Sequence, residues 1–308
     1  MKTQAKRINY RKRSRLIFYT LGMLLPLLQF CVFYIYTNLN SFILAFSSYE
    51  ARIGAIGYDV KFAGFSNFLA AFKTIGNNMQ MIENSLILFV FSTLLGLTLA
   101  SFFSFYIYKK YAGSGFFRVI LFLPQIVSQV VFALLFYQLV QDLIPYYLDL
   151  DSGLLSNGET LFPTVLFFNL WISFGVNVVL FTGAMSGINP AVVESAQIDG
   201  VNLLQEFWFI SIPMIFPTII TFIVTGLAGI FTNQMHLYSL FGDNAGEGVS
   251  SFGYFLYVQT SHSDVISPSR SYISYSEISA LGLVLTLIVF PITFGTRKLL
   301  EKFGPRTE

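Results

Sequence analysis

Six stretches of about twenty residues without a single charged side chain constrain this chain more than any other feature, at roughly 17–36, 85–107, 119–141, 163–185, 214–235 and 278–296. A helix needs about 20 residues to cross a bilayer core of about 30 Å. The sequence therefore predicts an all-α polytopic membrane protein with six transmembrane helices. Composition agrees: 55% of the 308 residues are hydrophobic and 11% charged, against roughly 25% charged in a soluble domain. A water-soluble fold is excluded, because so few charges cannot cover its surface. The balance of 18 Lys and Arg against 16 Asp and Glu leaves no basic face for nucleic acid. The one cysteine, Cys31, allows neither an intramolecular disulfide nor a cysteine-based metal site, and inside an apolar run it reads as a small packing residue.

The charges that do occur orient the spans. A basic run, Lys6-Arg7-Ile8-Asn9-Tyr10-Arg11-Lys12-Arg13-Ser14-Arg15, precedes the first apolar stretch. It would suit a signal peptide, but the apolar part is too long and no small-residue cleavage site follows, so the segment is predicted to stay in the membrane. Lys and Arg sort by alternate sides into 14 around the two tails and the 108–118 turn, and four in the other loops, Arg52, Lys61, Lys73 and Arg270. By the positive-inside rule both termini are cytoplasmic, and the 37–84, 142–162 and 236–277 loops face out. Eleven of the 16 carboxylates fall on that outer side. Beside a span, the basic run sets topology and touches anionic lipid, which is a simpler reading than a nucleic-acid arm. The organisation is a cytoplasmic basic tail over 1–16, one membrane domain over 17–296 and a cytoplasmic tail over 297–308, without a low-complexity linker or internal repeat. Ser92, Gly96, Ala100 and Ser104 recur every four residues in the second span, a small-residue stripe that lets another helix come close. Pro124 and Pro217 are predicted to kink the third and fifth spans.

One inner loop breaks the charge pattern. Residues 186–213 carry no Lys or Arg, only Glu194, Asp199 and Glu206. Asn189 can cap a helix with Pro190 at its first position, and Gly200 can end that helix at positive φ. A second short helix then runs toward Ile212. The predicted helix–turn–helix over 189–213 has apolar residues, Val193, Ile198, Leu203, Phe207 and Ile210, that must be buried against something. An interfacial amphipathic helix would show similar apolar residues but would want Lys and Arg on its polar face, and here there is none.

Glu194-Ser195-Ala196, Asp199-Gly200, Phe207, Ile210 and Pro213 resemble the E-A-A-x-x-D-G-A-x5-F-x-x-I-x-x-P signature of the membrane permease subunits of bacterial binding-protein-dependent ABC importers. Ser195 and Val201 stand where that family commonly has Ala, which touches the helix packing and not the match. Phe117-Arg118 with Leu123-Pro124, Asn84-Ser85 and Asn169-x-Trp171 resemble further family positions, so the likeness covers most of the chain. Spacing and topology most resemble the maltose-type sugar permeases. Gly242-Asp243-Asn244-Ala245-Gly246 stands where that branch often has Gly-Gly-Pro.

The resemblance implies a permease for a sugar or oligosaccharide in the bacterial cytoplasmic membrane, working by alternating access. It implies a second homologous permease subunit, two copies of a cytoplasmic ABC ATPase and an extracellular or periplasmic solute-binding protein as partners. It also implies that Glu194, Ser195, Ala196, Asp199, Gly200 and Phe207 form the coupling helix that seats in the ATPase. ATP and Mg would then bind the partner, with no cofactor, metal or catalytic residue in this chain; no Walker A sequence, Ser/His/Asp set or paired carboxylate stands in it. His236 and His262 are too far apart in sequence for a metal site alone.

Polar residues inside spans mark the bundle interior or a water-filled path. Asn169, Ser173 and Asn177 are four apart on the fourth span; Thr221, Thr225, Gly229 and Asn233 repeat that spacing on the fifth; Gln125, Ser128 and Gln129 share a face of the third. Interhelical hydrogen bonds explain any one stripe. Three together favour a neutral, hydroxyl-rich cargo, with Trp171, Phe174 or Tyr137 to cover apolar sugar faces. By resemblance, Asn169, Ser173 and Asn233 lie where maltose-type permeases build a mid-membrane sugar site; Asn177 and Gln129 extend it. No ionisable residue lies at mid-depth, which argues against proton coupling. The alternatives are an ABC importer of a non-sugar solute and a stand-alone secondary transporter, the latter predicting intramembrane charges or inverted repeats.

Overall fold

The computed structural model of the protein describes residues 2–51, 58–262 and 273–305, with side chains described at 15–49, 60–261 and 273–305. Arg52 and Arg270 lie outside what is described, as do the side chains of the basic run before Arg15 and of His262. Among the described residues six helices are long and apolar enough to cross a membrane: Arg15–Ala45, Met79–Tyr108, Gln129–Leu148, Gly158–Ser186, Leu203–Ala228 and Tyr275–Phe303. The expected all-α class holds, with one addition. A short antiparallel hairpin pairs Ser47–Ala51 with Tyr58–Phe62.

The chain divides into two units, Met1–Phe72 with Ser263–Val284, and Lys73–His262 with Leu285–Glu308. In the first, the first span leads directly into the hairpin. Asn67, on the helix Ser66–Asn77, donates its side-chain amide to both the Ala45 and Ser47 carbonyls at 2.9 Å, which ties that helix to the end of the span. Phe46, Phe62, Phe65 and Phe68 pack their rings around this joint.

The second unit is built along the fourth span. The residues Val165, Phe168 and Ile172 of its N-terminal half belong to one apolar cluster with Leu88, Phe136, Val140 and Leu237. Its other half supplies Val178, Phe181 and Met185 to a second cluster with Phe105, Phe207 and Ile215. The small-residue stripe of the second span is where these two helices meet. Ala100 is fully buried, Gly96 leaves room for the Leu170 side chain, and the buried Ser104 hydroxyl donates to the Val178 carbonyl at 2.9 Å. In lipid such a bond contributes about 0.6–2 kcal/mol, and the small residues add close backbone packing to it.

The first span continues to Ala45, beyond the expected end at 36, and the third and fifth spans differ most from the sequence reading. The stretch 119–141 is not one kinked helix. A helix Ser114–Ile126 contains Pro124; the chain then goes extended at Val127 (φ −77°, ψ 144°) and Ser128 (φ −53°, ψ 128°), and Gln129 starts the third span. Proline removes one hydrogen bond and crowds the preceding turn, and the break falls three residues later. Ser114–Ile126 instead lies against the fourth span. The Gln125 side chain donates to the Ile172 carbonyl, and a Cβ at Gly175 would collide with the Leu121 carbonyl. The fifth span, in turn, runs not from 214 to 235 but from Leu203 to Ala228. It begins inside the 189–213 loop and is capped by Gly229, whose N–H bonds the Thr225 carbonyl at 3.1 Å. Pro217 sits within it without ending it.

Among the described residues four segments of the spans are π-helical, and two of these, Leu139–Leu143 and Phe207–Ser211, end one residue before Ile144-Pro145 and Ile212-Pro213. A proline cannot donate to the carbonyl four residues back and its ring crowds it. Widening the preceding turn moves that carbonyl aside, which is how these helices carry a proline through the membrane.

Candidate functional site

The 189–213 element forms locally as its residues dictate. The Asn189 side chain accepts the Ala191 N–H at 3.0 Å with Pro190 at the first helical position, and the helix runs to Ile198. Gly200 takes φ +83°. Its N–H bonds the Gln197 carbonyl at 3.1 Å and the Val201 N–H bonds the Ala196 carbonyl at 3.0 Å, the paired closure that a left-handed glycine permits at a helix end. Asn202 and Gln205 then cap each other's backbone N–H at 2.9 Å and start the next helix. This second helix passes through Phe207–Ser211 into the fifth span without interruption, so that half of the knob and the span share one helix.

Its apolar residues divide into two sets. Val193 and Phe207 are buried within the chain; Phe207 stacks on Phe102 with ring centroids 4.5 Å apart and meets Phe105 edge-on at 5.2 Å. Ile198, at 86% exposed, and Leu203 and Leu204 remain uncovered. Glu194, Ser195, Asp199 and Gly200 are exposed with them and Ala196 is half-buried. Phe207 thus anchors the element from inside and does not share the outward face of Glu194, Ser195, Asp199 and Gly200. Sequence reasoning had no means to separate the two sets, because the apolar spacing is the same whether a residue faces its own chain or a partner. It also missed Glu206, which is 2% exposed and ion-paired with Lys109 at the end of the second span.

The polar residues of the spans mostly turn back on their own helices. Asn169, 6% exposed, donates to the Val165 carbonyl at 2.9 Å. The Ser173 hydroxyl donates to the Asn169 carbonyl at 2.8 Å, and Thr221 to the Pro217 carbonyl at 2.9 Å. Ser173 and Asn177 are half-buried, and Ser128 and Gln129 are exposed. Two expected groupings do not form. Gln125 lies on a different helix from Gln129, with Ser128 as the cap between them. Asn233 is beyond the end of the fifth span, in a turn where its side-chain oxygen accepts the Met235 N–H at 2.9 Å, so it does not continue the face of Thr221 and Thr225. The aromatic residues Trp171, Phe167 and Phe136 line a cavity of about 530 Å³ with Thr160 and Thr164.

At the ends of the spans remote from the 189–213 knob, residues 233–254 form a compact loop. Asn84 donates to the Ser250 carbonyl at 3.0 Å, and the Ser85 hydroxyl accepts the Phe252 N–H at 2.9 Å. Tyr254 donates to the Gly242 carbonyl at 2.8 Å and accepts the Ala245 N–H at 3.1 Å, which closes the Gly242–Gly246 turn. Gly253 abuts the Asn233 backbone, where a side chain would collide. His236, at positive φ, is half-buried edge-on to Phe168, and burial lowers its pKa from the usual 6.5. No group of three or more His, Cys, Asp or Glu side chains that could hold a metal ion stands among the described residues.

Residues 92–308 match the family model described as "Binding-protein-dependent transport system inner membrane component". The multiple sugar-binding transport system permease protein MsmF of Streptococcus mutans is 23% identical over 291 residues, covering 91% of this chain and 94% of its own. The polygalacturonan/rhamnogalacturonan transport system permease protein YteP of Bacillus subtilis is 22% identical over 326 residues, covering 95% and 92%. A chain in the crystal structure of a bacterial alginate ABC transporter, in complex with an alginate pentasaccharide-bound periplasmic protein, superposes with a TM-score of 0.71 at 21% identity, over 94% of this chain and 96% of that one.

Proposed function

The chain belongs to the family of binding-protein-dependent transport system inner membrane components, and from that premise we propose that it is the permease subunit of an ATP-driven ABC importer for a sugar or oligosaccharide. It carries the path for the cargo, and ATP hydrolysis belongs to a separate ATPase. The observation that carries the reading is the 189–213 knob, which leaves Ile198, Leu203 and Leu204 uncovered beside Glu194 and Asp199, with no Lys or Arg in the loop. Apolar side chains in an aqueous loop, without the cations that would seat them on a lipid surface, call for a protein partner. Closure of an ATPase dimer on the knob would move the fifth span with it, since the two share one helix.

The partners follow from the same premise: a second homologous permease subunit, two copies of the cytoplasmic ATPase carrying ATP and Mg, and a periplasmic or extracellular solute-binding protein. Both termini and the knob lie on the cytoplasmic side of the cell membrane, and the pinned 233–254 loop faces the binding protein. Relatives named for multiple-sugar and arabinooligosaccharide transport support a saccharide cargo. Ser173, Asn177 and Gln129 offer the uncharged donors and acceptors that hydroxyl groups need. Asn169 is buried and bonded to its own helix, and Asn233 lies in the turn beyond the fifth span. The names of YteP and of the alginate transporter support a second reading, an acidic oligosaccharide.

The test is ATP hydrolysis by the reconstituted importer with its binding protein, across a panel of neutral and uronic oligosaccharides. Stimulation by neutral members supports the first reading, and stimulation by uronic members alone the second. Stimulation by amino acids or peptides in place of saccharides overturns both.

A further inference from the structure

We propose that the ion pair between Lys109 and the buried Glu206 is the positioning contact that joins the second span to the coupling knob; the inference rests on the importer reading above. The 186–213 loop contains no cation, yet its Glu206 is 2% exposed and its Oε1 meets the Lys109 ammonium. The positive charge comes from the adjoining inner turn. Lys109 caps the C-terminal end of the helix Leu97–Tyr108, where the helix dipole favours a cation. Its ammonium lies 5.7 Å and 5.6 Å from the Phe105 and Tyr108 ring centroids.

The pair sits at a junction of three elements. Glu206 is the last residue before the π-helical segment Phe207–Ser211 and follows directly on the Asn202–Gln205 capping box. On the other side, the second span packs Phe102 and Phe105 against Phe207 and bonds the fourth span through Ser104. The same two surfaces are therefore held by apolar rings and by one charge pair. Ring contacts allow sliding, because dispersion is not directional, whereas an ion pair with a buried carboxylate holds one register. A push on the knob then reaches the second and fourth spans together with the fifth. Without the pair the knob still folds and docks, but its motion is absorbed at the Phe207 rings. Sequence spacing does not reveal this, since Lys109 and Glu206 are 97 positions apart.

The experiment compares the full importer carrying wild-type permease, Glu206→Gln, Lys109→Met, Lys109→Arg and the exchange Lys109→Glu/Glu206→Lys. The readout is the ratio of cargo-stimulated to unstimulated ATP hydrolysis, together with the ATPase content of each purified assembly. The two neutralising variants are expected to keep the ATPase and lose the ratio about tenfold. Lys109→Arg keeps it, and the exchange restores at least half of it, which a loss of packing alone would not do. Wild-type ratios in the neutralised variants overturn the proposal, as does failure of both to assemble with the ATPase, which would make the pair a folding contact only. A wild-type importer whose ATPase ignores every cargo fails the importer reading itself and is distinguished from these outcomes by the control.

Discussion

The 189–213 knob and the polar stripes of the spans are two places where this chain departs from the rule of its surroundings, and they depart in opposite ways. The knob is apolar where the loop should be polar; the stripes are polar where the spans should be apolar. In the knob, internal packing consumes Val193 and Phe207 and leaves Ile198, Leu203 and Leu204 uncovered. In the stripes, Asn169, Ser173 and Thr221 are satisfied by carbonyls of their own helices. An uncovered apolar group has a standing free energy to gain, about 25 cal/mol for each Å² that a partner buries. A side chain bonded to the carbonyl one turn back has already met its need and contacts a ligand by exchanging bonds. On the proposed function, the knob suits a permanent partner and the stripes a transient one.

The largest effect that breaks this contrast is expected from Gly200→Val. At φ +83° a β-branched residue costs about 1–2 kcal/mol in the left-handed region, so the turn opens and the outward set is misaligned. Transport by the reconstituted importer should fall by about tenfold or more, while the permease still inserts; wild-type uptake would show that the geometry of the turn is not used.

Next in size is the pair Asn177→Ala and Asn169→Ala. Losing one hydrogen bond to cargo is worth about 0.5–1.5 kcal/mol, so Asn177→Ala should raise the half-saturating cargo concentration roughly three- to tenfold and leave the thermal midpoint in place. The buried Asn169 should behave in the reverse way, with a lower midpoint and little change in cargo dependence. A shared response of the two would merge what the structure separates.

The smallest effect lies outside both regions and calibrates them. Burial holds the His236 pKa below 6.5, so the folded state binds the proton less readily than the unfolded chain. That contribution to stability is fully present above about pH 6.5 and declines as the pH falls below it. The thermal midpoint should therefore drop on acidification by more in the wild type than in His236→Gln; equal slopes would remove His236 as the cause.

How much of this was legible in the sequence depended on how local the physics was. Asn189, Pro190 and Gly200 act within one turn of themselves, and the helix ends they predict are found. The small-residue stripe of the second span was legible because only small side chains allow that approach. The break after Pro124 was flagged by the proline, but its place depends on Ser114–Ile126 lying against Gly175 of the fourth span, a contact some fifty residues away. Spacing every four residues placed Asn169, Ser173 and Asn177 on one face and said nothing of what each side chain bonds. The same limit hid the difference between Phe207, buried on Phe102, and Ile198, left open.

The ATPase content of the purified permease assembly tests the central claim most directly, measured for wild type, Ile198→Asp and Leu204→Asp. Both substituted positions are exposed, so the permease itself should purify unchanged. The account predicts that the wild type retains its ATPase subunits and that each variant loses them by at least about tenfold. Variants that retain the ATPase at the wild-type ratio would contradict it, since the uncovered apolar face would then seat nothing.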